Sequence, residues 1–131
     1  MATALACRHK SAPLAPGDFL QHISDRTPES EVQRGIADAI TLAENATLDS
    51  AVAALGNGAK VSAQDTVPFS LWAAAHHLDN YEEALWATVS GLGDRDTTCA
   101  IVGGIVVMSA GIESISPLWI EAREPLPAWF L

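Results

Sequence analysis

The chain has 131 residues, of which 49% are hydrophobic and only 6% aromatic, so it is long enough for one domain with a real core. Its formal net charge is −9, which disfavours nucleic acid as a partner because a phosphate backbone attracts positive charge. Two cysteines, Cys7 and Cys99, are too few for a disulfide framework and fit a reducing, cytoplasmic compartment. The longest apolar run, Cys99 to Ile112, has about 14 residues, below the ~20 that a transmembrane helix needs. We therefore expect neither nucleic acid nor a membrane as a partner.

The first 60 residues predict short helices joined by loops that contain proline and glycine. Residues 1–10 have a helical pattern without an N-cap, which suggests that the natural protein extends upstream. Thr27 is the expected N-cap of a helix with Pro28 in its first turn. The sequence Gly-Asn-Gly at 56–58 is expected to stop a later helix and form a turn. Residues 11–58 carry no group that stands out chemically, and we expect them to act as scaffold.

Residues 65–78 predict a helix with large side chains on one face. Asp65 and Thr66 are its expected caps, and Pro68 would then lie near its start, where proline is tolerated. Trp72 is expected to lie in the core, because a tryptophan at helical spacing from other apolar residues is more often buried than a platform for a ligand.

The residues that follow this helix include two neighbouring histidines, His76 and His77. Adjacent residues on a helix point about 100° apart, so a partly exposed pair is favoured over two ligands of one metal ion. Asp79 is the expected cap of the next helix, with Glu82 completing a capping box. Trp86, within that helix, is expected to lie in the core.

The last long helix is predicted from Thr97 to about Ala110 and is expected to stop at Gly111. Gly103 and Gly104 within it are expected to let another helix approach closely. One more short helix is expected in the proline-containing tail. No stretch has a strand pattern, so we predict an all-α protein, a compact bundle of about six or seven short helices.

The most informative stretch is a D-x-D-T motif, Asp94 to Thr97, which follows a Gly-rich turn at 91–93. It lies in the more acidic part of the chain, since residues 61–131 hold nine acidic and two basic side chains. Asp96 is well placed to cap the following helix. Asp94, Asp96 and Thr97 are also hard oxygen ligands of the type that Mg²⁺ or Mn²⁺ prefers. The motif alone leaves both interpretations open.

Two other classes of protein with similar motifs fit poorly. The haloacid-dehalogenase-type phosphatases carry D-x-D-x-T after a hydrophobic strand in a β/α alternation, whereas this motif follows a predicted helix. An EF-hand loop needs Gly at its sixth position and Glu at its twelfth. Counted from Asp94, these positions are Cys99 and Ile105.

Three blocks of sequence resemble the C-terminal half of the ADP-ribosylglycohydrolase family, which includes dinitrogenase reductase-activating glycohydrolase and the ADP-ribosyl-acceptor hydrolases. They are residues 65–72 (DTVPFSLW), 81–87 (YEEALWA) and 93–104 (GDRDTTCAIVGG). The resemblance covers about residues 18–127 and keeps the order and spacing of the blocks. Leu92 departs from the pattern, because a glycine is frequent at this position.

This resemblance implies a compact all-α fold with a binuclear Mg²⁺ or Mn²⁺ centre. It implies hydrolysis of the glycosidic bond between ADP-ribose and a protein side chain such as arginine, so the partner is an ADP-ribosylated protein or a related ADP-ribosyl compound. By match of motif, Asp96 would bridge the two ions. Asp94 and Thr97 would complete the ligands of one of them.

The family's first half carries a G-D-x-x-G segment and a T-D-D segment, which supply the other metal ligands and the acidic catalytic residue. Neither occurs here. We therefore expect residues 1–131 to form a single, truncated domain that carries only part of the site, with its catalytic residue unknown. The alternative is an inactive helical fragment that acts as a binding or interaction module. An apolar face left by the missing half would favour self-association.

Overall fold

The structure is a computed structural model that describes residues 1–130. It contains α-helices and two single-turn 3-10 segments, and no strand occurs within the described range. The predicted all-α fold is confirmed. The helices, in chain order, are Ala2–His9 (α1), Pro16–Ser24 (α2), Glu31–Thr41 (α3), Leu48–Leu55 (α4), Ala63–His76 (α5), Tyr81–Ser90 (α6), Arg95–Ala110 (α7) and Pro117–Ala122 (α8), and the 3-10 segments are Ile112–Ser114 and Ala128–Phe130.

Helix α5 lies at the centre of the bundle, in contact with α2, α3, α4, α6 and α7. Nearly every residue from Asp65 to Ala75 is buried, so its side chains face the core on all sides. Phe69 is completely buried, and Trp72 is 5% exposed, which confirms the prediction for this tryptophan. Three consecutive alanines, at 73–75, let the surrounding helices approach closely.

The start of α5 differs from the prediction. The helix begins at Ala63, so Pro68 lies inside it and neither Asp65 nor Thr66 acts as a cap. A proline inside a helix removes one backbone hydrogen bond and adds bulk. Here the ring is accommodated by Gly35 of α3, where a Cβ atom would lie only 2.5 Å from the Pro68 Cγ.

Two further caps lie later in the chain than predicted. Ser30, and not Thr27, caps α3, since its hydroxyl accepts the Gln33 N–H at 3.2 Å. The Thr27 hydroxyl instead donates to the carbonyl of Ile23 and so closes α2.

Asn80, and not Asp79, caps α6, because its side-chain oxygen accepts the Glu83 N–H at 3.1 Å. The Asp79 carboxylate is engaged elsewhere, at 3.2 Å from the Nε2 of buried His9. Helix α1 is thereby linked to the junction between α5 and α6.

The prediction that Trp86 of α6 lies in the core is wrong. The buried residues of α6 are Ala84 and Thr88, four positions apart. Trp86 lies between them in sequence, points away from this face and is 55% exposed. The two histidines at the end of α5, His76 and His77, are partly buried, as expected.

Of the two glycines predicted to allow close helix packing, only one does so. A Cβ atom at Gly103 would lie 3.0 Å from the Tyr81 hydroxyl oxygen, so α6 and α7 approach closely there. Gly104 has open space beside it. Gly111, with φ of 89°, ends α7 as predicted. Within residues 1–130, every helix is too short or too polar to span a bilayer.

Candidate metal-binding turn

The D-x-D-T motif lies at the surface, where the turn between α6 and α7 leads into α7. The turn begins at Gly91, which is buried against Phe69 of α5; a Cβ atom at Gly91 would lie 2.5 Å from the Phe69 Cζ. Leu92 and Gly93 then adopt left-handed backbone conformations, with φ of 58° and 65°. These two residues reverse the chain and place Asp94 at the N-terminus of α7.

The N-cap of α7 is Asp94, whereas the sequence suggested Asp96. Its Oδ1 accepts the Thr97 N–H at 3.3 Å, and the helix begins at Arg95. The cap differs by two residues because the helix starts at Arg95 instead of the predicted Thr97, and the N-cap is the residue just before the first helical one. Asp96 lies in the first turn, where its negative charge is favoured by the helix dipole.

The three predicted metal ligands lie together on this exposed end of α7. Asp94 is partly exposed, and Asp96 and Thr97 are exposed. A hydrogen bond with the Asp96 carboxyl group, followed by bonds from the Thr97 hydroxyl and N–H, lowers the pKa of Asp94 below its ordinary value of 3.8. A divalent cation would be attracted to two acidic side chains that lie this close together.

The chemistry of these donors fits Mg²⁺ or Mn²⁺, which prefer carboxylate and hydroxyl oxygens. The set is nevertheless partial. Nowhere in residues 1–130 do three or more His, Cys, Asp or Glu side chains gather as a metal-binding group. Since Mg²⁺ requires an octahedral set of ligands, water, substrate or residues outside this turn would have to provide the rest.

The loop between α4 and α5, residues 56–62, braces the turn from the side. The backbone carbonyl of Asn57 accepts the Asp94 N–H at 3.1 Å. Its side-chain Nδ2 donates to the carbonyl of Gly91 at 3.0 Å. Gly58 faces Asp94 so closely that a Cβ atom there would lie 2.8 Å from the Asp94 Cβ. Residues expected to be scaffold thus contact the candidate ligand directly.

Asp65, in the first turn of α5, fixes this loop in its place. Its carboxylate is buried and accepts the Lys60 N–H at 2.9 Å. Its backbone carbonyl accepts the Gly58 N–H, also at 2.9 Å. The Lys60 ammonium lies 3.8 Å from the same carboxylate. The start of the central helix therefore holds the loop, and the loop holds the turn.

The family of the chain follows from comparison with known proteins. The sequence model of the ADP-ribosylglycohydrolase family matches residues 1–130. The chain belongs to this family. Comparisons with curated proteins and with solved structures give no match.

Family membership confirms the resemblance that the three sequence blocks indicated, and with it the general glycohydrolase class. ADP-ribosylglycohydrolases act on ADP-ribosylated substrates and use divalent metals. In this ADP-ribosylglycohydrolase chain, the oxygen-rich end of α7 is the place whose donor chemistry matches such a metal.

Backbone strain marks the same place. Val61 and Leu92 are the non-glycine residues of the described range that have positive φ, at 52° and 58°. One lies in each of the two loops that meet beside Asp94. Strained backbone of this kind clusters at functional sites. The sequence carried a signal for Leu92, because the ADP-ribosylglycohydrolase pattern often has glycine there, whereas nothing local pointed to Val61.

The residues that sequence reasoning missed are Asn57, Gly58 and Asp65. Gly-Asn-Gly was predicted to be a helix stop and a turn, and Gly56, with φ of 87°, does end α4. The contact between Asn57 and Asp94 spans more than 30 positions of sequence, and a single chain contains no local signal for a contact of that separation. Asp65 did belong to a block of the family resemblance, but its expected role was a cap.

Proposed function

We propose that this chain carries part of the active site of an ADP-ribosylglycohydrolase, in which Asp94, Asp96 and Thr97 hold Mg²⁺ or Mn²⁺ in a binuclear centre. The reaction is hydrolysis of the glycosidic bond between ADP-ribose and a protein side chain such as arginine. The observation that supports it is the gathering of these three oxygen-bearing side chains at one braced, exposed turn, in a chain of this family. When bound, the metal supplies positive charge that orients the ribose hydroxyls and a water molecule.

The chain's own residues have separate tasks in this proposal. The cap bond to the Thr97 N–H uses Oδ1 of Asp94, and the other carboxylate oxygen, Oδ2, can bind a metal ion. The pKa of Asp94 lies below its ordinary value of 3.8, so its carboxylate is charged at neutral pH. Asp96 is exposed and adds a second charge, and the Thr97 hydroxyl adds a neutral oxygen.

The same proposal includes the domain and its surroundings. Residues 1–131 form one domain that corresponds to the C-terminal half of the family fold, and the remaining metal ligands and the acidic catalytic residue come from outside it. This is supported by the partial ligand set at the turn. A cytoplasmic location is supported by the two free cysteines, Cys7 and Cys99.

The metal role is tested by titrating Mn²⁺ into the wild-type chain, Asp96→Asn and a control, Asp38→Asn, which changes an exposed acid on α3. We expect the wild type and the control to bind Mn²⁺ alike and Asp96→Asn to bind it more weakly. Equal binding by all three would contradict the assignment.

The reaction is tested by ADP-ribose release from ADP-ribosyl-arginine, with metal and with chelator. Metal-dependent release that Asp96→Asn abolishes would mean that the missing groups are supplied by this chain or by a second copy of it. No release from a folded chain that binds Mn²⁺ would mean that the missing groups lie outside residues 1–131.

A second candidate function, an interaction module, is favoured by one surface. Helices α6 and α8 present an aromatic surface in which the Trp86 and Trp119 rings meet edge to face, 6.2 Å apart between centroids, and Tyr81 lies 6.4 Å from Trp119. An adjoining groove of about 500 Å³ is lined mainly by apolar residues of α8 and its neighbours. A large exposed apolar patch typically marks a protein interface.

In this second candidate, the surface binds another copy of the chain. Sedimentation velocity tests it on the wild type, Trp86→Gln and Leu92→Gln, which changes an exposed leucine outside this surface. We expect association that only Trp86→Gln weakens. A wild type that stays monomeric at high concentration would exclude self-association.

A further inference from the structure

We propose that Asn57 is a positioning residue for the candidate metal-binding turn, and that it sets the direction of the Asp94 carboxylate. This inference rests on the proposed function only for the identity of the ion. Its structural basis is that one residue contacts both ends of the turn, through its backbone carbonyl at Asp94 and its side-chain amide at Gly91.

Both polar atoms of the Asn57 side chain form hydrogen bonds. Nδ2 donates to the carbonyl of Gly91 at 3.0 Å, and Oδ1 accepts the Ala59 N–H at 3.3 Å. The first bond fixes the turn and the second fixes the loop itself. A carboxamide provides a donor and an acceptor on one planar group, which neither a hydroxyl nor a carboxylate does at the same reach.

The bracing matters because the turn is strained. Leu92 has φ of 58° and is 62% exposed, so its side chain gains little from burial that would offset the unfavourable backbone. The hydrogen bonds between Asn57 and the residues on either side of this strained position, Gly91 and Asp94, restrain the turn. Without them, the turn can relax toward ordinary backbone geometry, and Asp94 would move with it.

Gly58 limits Asp94 from a second direction. A Cβ atom at Gly58 would lie 2.8 Å from the Asp94 Cβ and 3.6 Å from the Thr98 Cγ2. The Thr98 hydroxyl in turn donates to the Asp94 carbonyl at 2.8 Å. The Asp94 backbone is thereby held on both sides, while its carboxylate remains at the surface. Residues that orient metal ligands through such contacts are a regular part of metal sites.

The test compares Asn57→Ala with the wild type and with Asn80→Ala. Asn80 is a matched control, because its side chain also accepts a backbone N–H, at the start of α6, but does not belong to the braced turn. The first measurement, made without metal, is NMR-detected hydrogen exchange of the Asp94 and Thr97 amides. The second is Mn²⁺ affinity, read from the EPR signal of the free ion.

We expect Asn57→Ala to speed exchange of both amides about five- to tenfold, as the loss of one hydrogen bond would. We expect it to weaken Mn²⁺ binding about 10- to 100-fold, the range typical of residues that orient metal ligands. Asn80→Ala should leave both measurements at their wild-type values. If Asn57→Ala fails to fold, Asn57→Ser, which keeps a short polar side chain, is measured in the same way.

Unchanged exchange at Asp94 and Thr97 in the Asn57 variant would overturn the inference. Faster exchange with unchanged Mn²⁺ affinity would also overturn it, because the brace would then have no effect on the ligand. A wild-type chain that binds no Mn²⁺ would count against the proposed function instead, and the exchange comparison would still decide the role of Asn57.

Discussion

The D-x-D-T turn and the C-terminal tail both lie at the surface, but different forces hold them. The turn is fixed by backbone and amide hydrogen bonds from a loop that precedes it by more than 30 positions. The tail, residues 112–130, is held by aromatic contacts around Trp119, and within this described range it contains only short helical segments. The turn buries no large side chain of its own, whereas the tail exposes several.

This difference indicates what each region is suited to do. Hydrogen bonds are directional and hold an atom in one orientation, which a metal ligand requires. Apolar contact is non-directional and roughly proportional to area, so it suits a surface that is covered by a partner. The turn is therefore the better candidate for chemistry, and the tail is the better candidate for association.

The largest effect on this comparison is expected from Phe69→Ala. Phe69 is completely buried and contacts Gly91 at the start of the turn. Truncating such a residue should lower the free energy of unfolding by about 3–5 kcal/mol, measured by urea denaturation. Because the cavity lies under the turn, exchange at Asp94 should rise more than exchange in the tail. An equal rise of hydrogen exchange in the turn and in the tail would contradict the view that the two regions are held by different contacts.

The next effect is expected from Gly58→Ala. Gly58 has φ of 87°, and the added Cβ meets Asp94, so we expect a loss of about 1–2 kcal/mol from backbone strain alone. Gly104→Ala is the matched control, because that helical glycine has open space beside it. The control should gain about 0.5–1 kcal/mol. Thermal unfolding of the two variants would show opposite shifts of Tm.

A smaller effect, and a gain, is expected from Leu92→Gly. Relief of a left-handed leucine outweighs the extra chain entropy of glycine by about 0.5–1 kcal/mol. Urea denaturation measures this gain. A loss of stability would mean that the exposed Leu92 side chain makes contacts that matter more than its backbone strain.

The charge of the turn is expected to appear in the pH dependence of stability. The lowered pKa of Asp94 means that its charged form stabilises the folded chain at pH values above 3.8, its ordinary pKa. That contribution is lost as the pH falls through the lower folded-state pKa. Asn is as good an N-cap as Asp, so Asp94→Asn should keep the cap but lack this contribution.

Urea denaturation of the wild type and Asp94→Asn at a series of pH values measures the difference. The wild type should be the more stable at neutral pH. The two curves should approach each other as the pH falls below 3.8 and meet below the lower folded-state pKa. Parallel curves over the whole range would show that the carboxylate adds nothing to the cap.

The smallest effect is expected in the tail. Trp129 is 84% exposed and contacts Phe130 edge to face. Trp129→Ala should change the free energy of unfolding by less than about 0.5 kcal/mol, in urea denaturation. A larger loss would mean that the tail contributes to the stability of the isolated chain.

Much of the fold could be predicted from the sequence, because helix periodicity and glycine stops are local signals. The end of α7 at Gly111 and the burial of Trp72 are examples. Caps were less predictable, since the runs that precede α3, α6 and α7 each contain several capable side chains. Asp79 contacts His9 and does not cap α6, and α7 is capped by Asp94 and not by Asp96. Only the packed structure decides between such neighbours.

The candidate ligands were predicted from the motif, but the residues that hold the turn in place were not. Asn57 and Gly58 contact the turn through the tertiary fold, and their spacing from Asp94 has no pattern that a single sequence reveals. Trp86 was misplaced for a related reason, because the buried face of α6 is made of Ala84 and Thr88. Small residues, and not the large one, face the core there.

The contact between Gly35 and Pro68 has an evolutionary consequence. The proline ring occupies the space that a side chain at position 35 would need, so the two positions constrain each other. A larger residue at 35 becomes acceptable only after position 68 has lost its ring, and a chain that retains Pro68 must retain glycine opposite. Among homologues, a residue larger than glycine at position 35 should therefore occur only where position 68 is not proline.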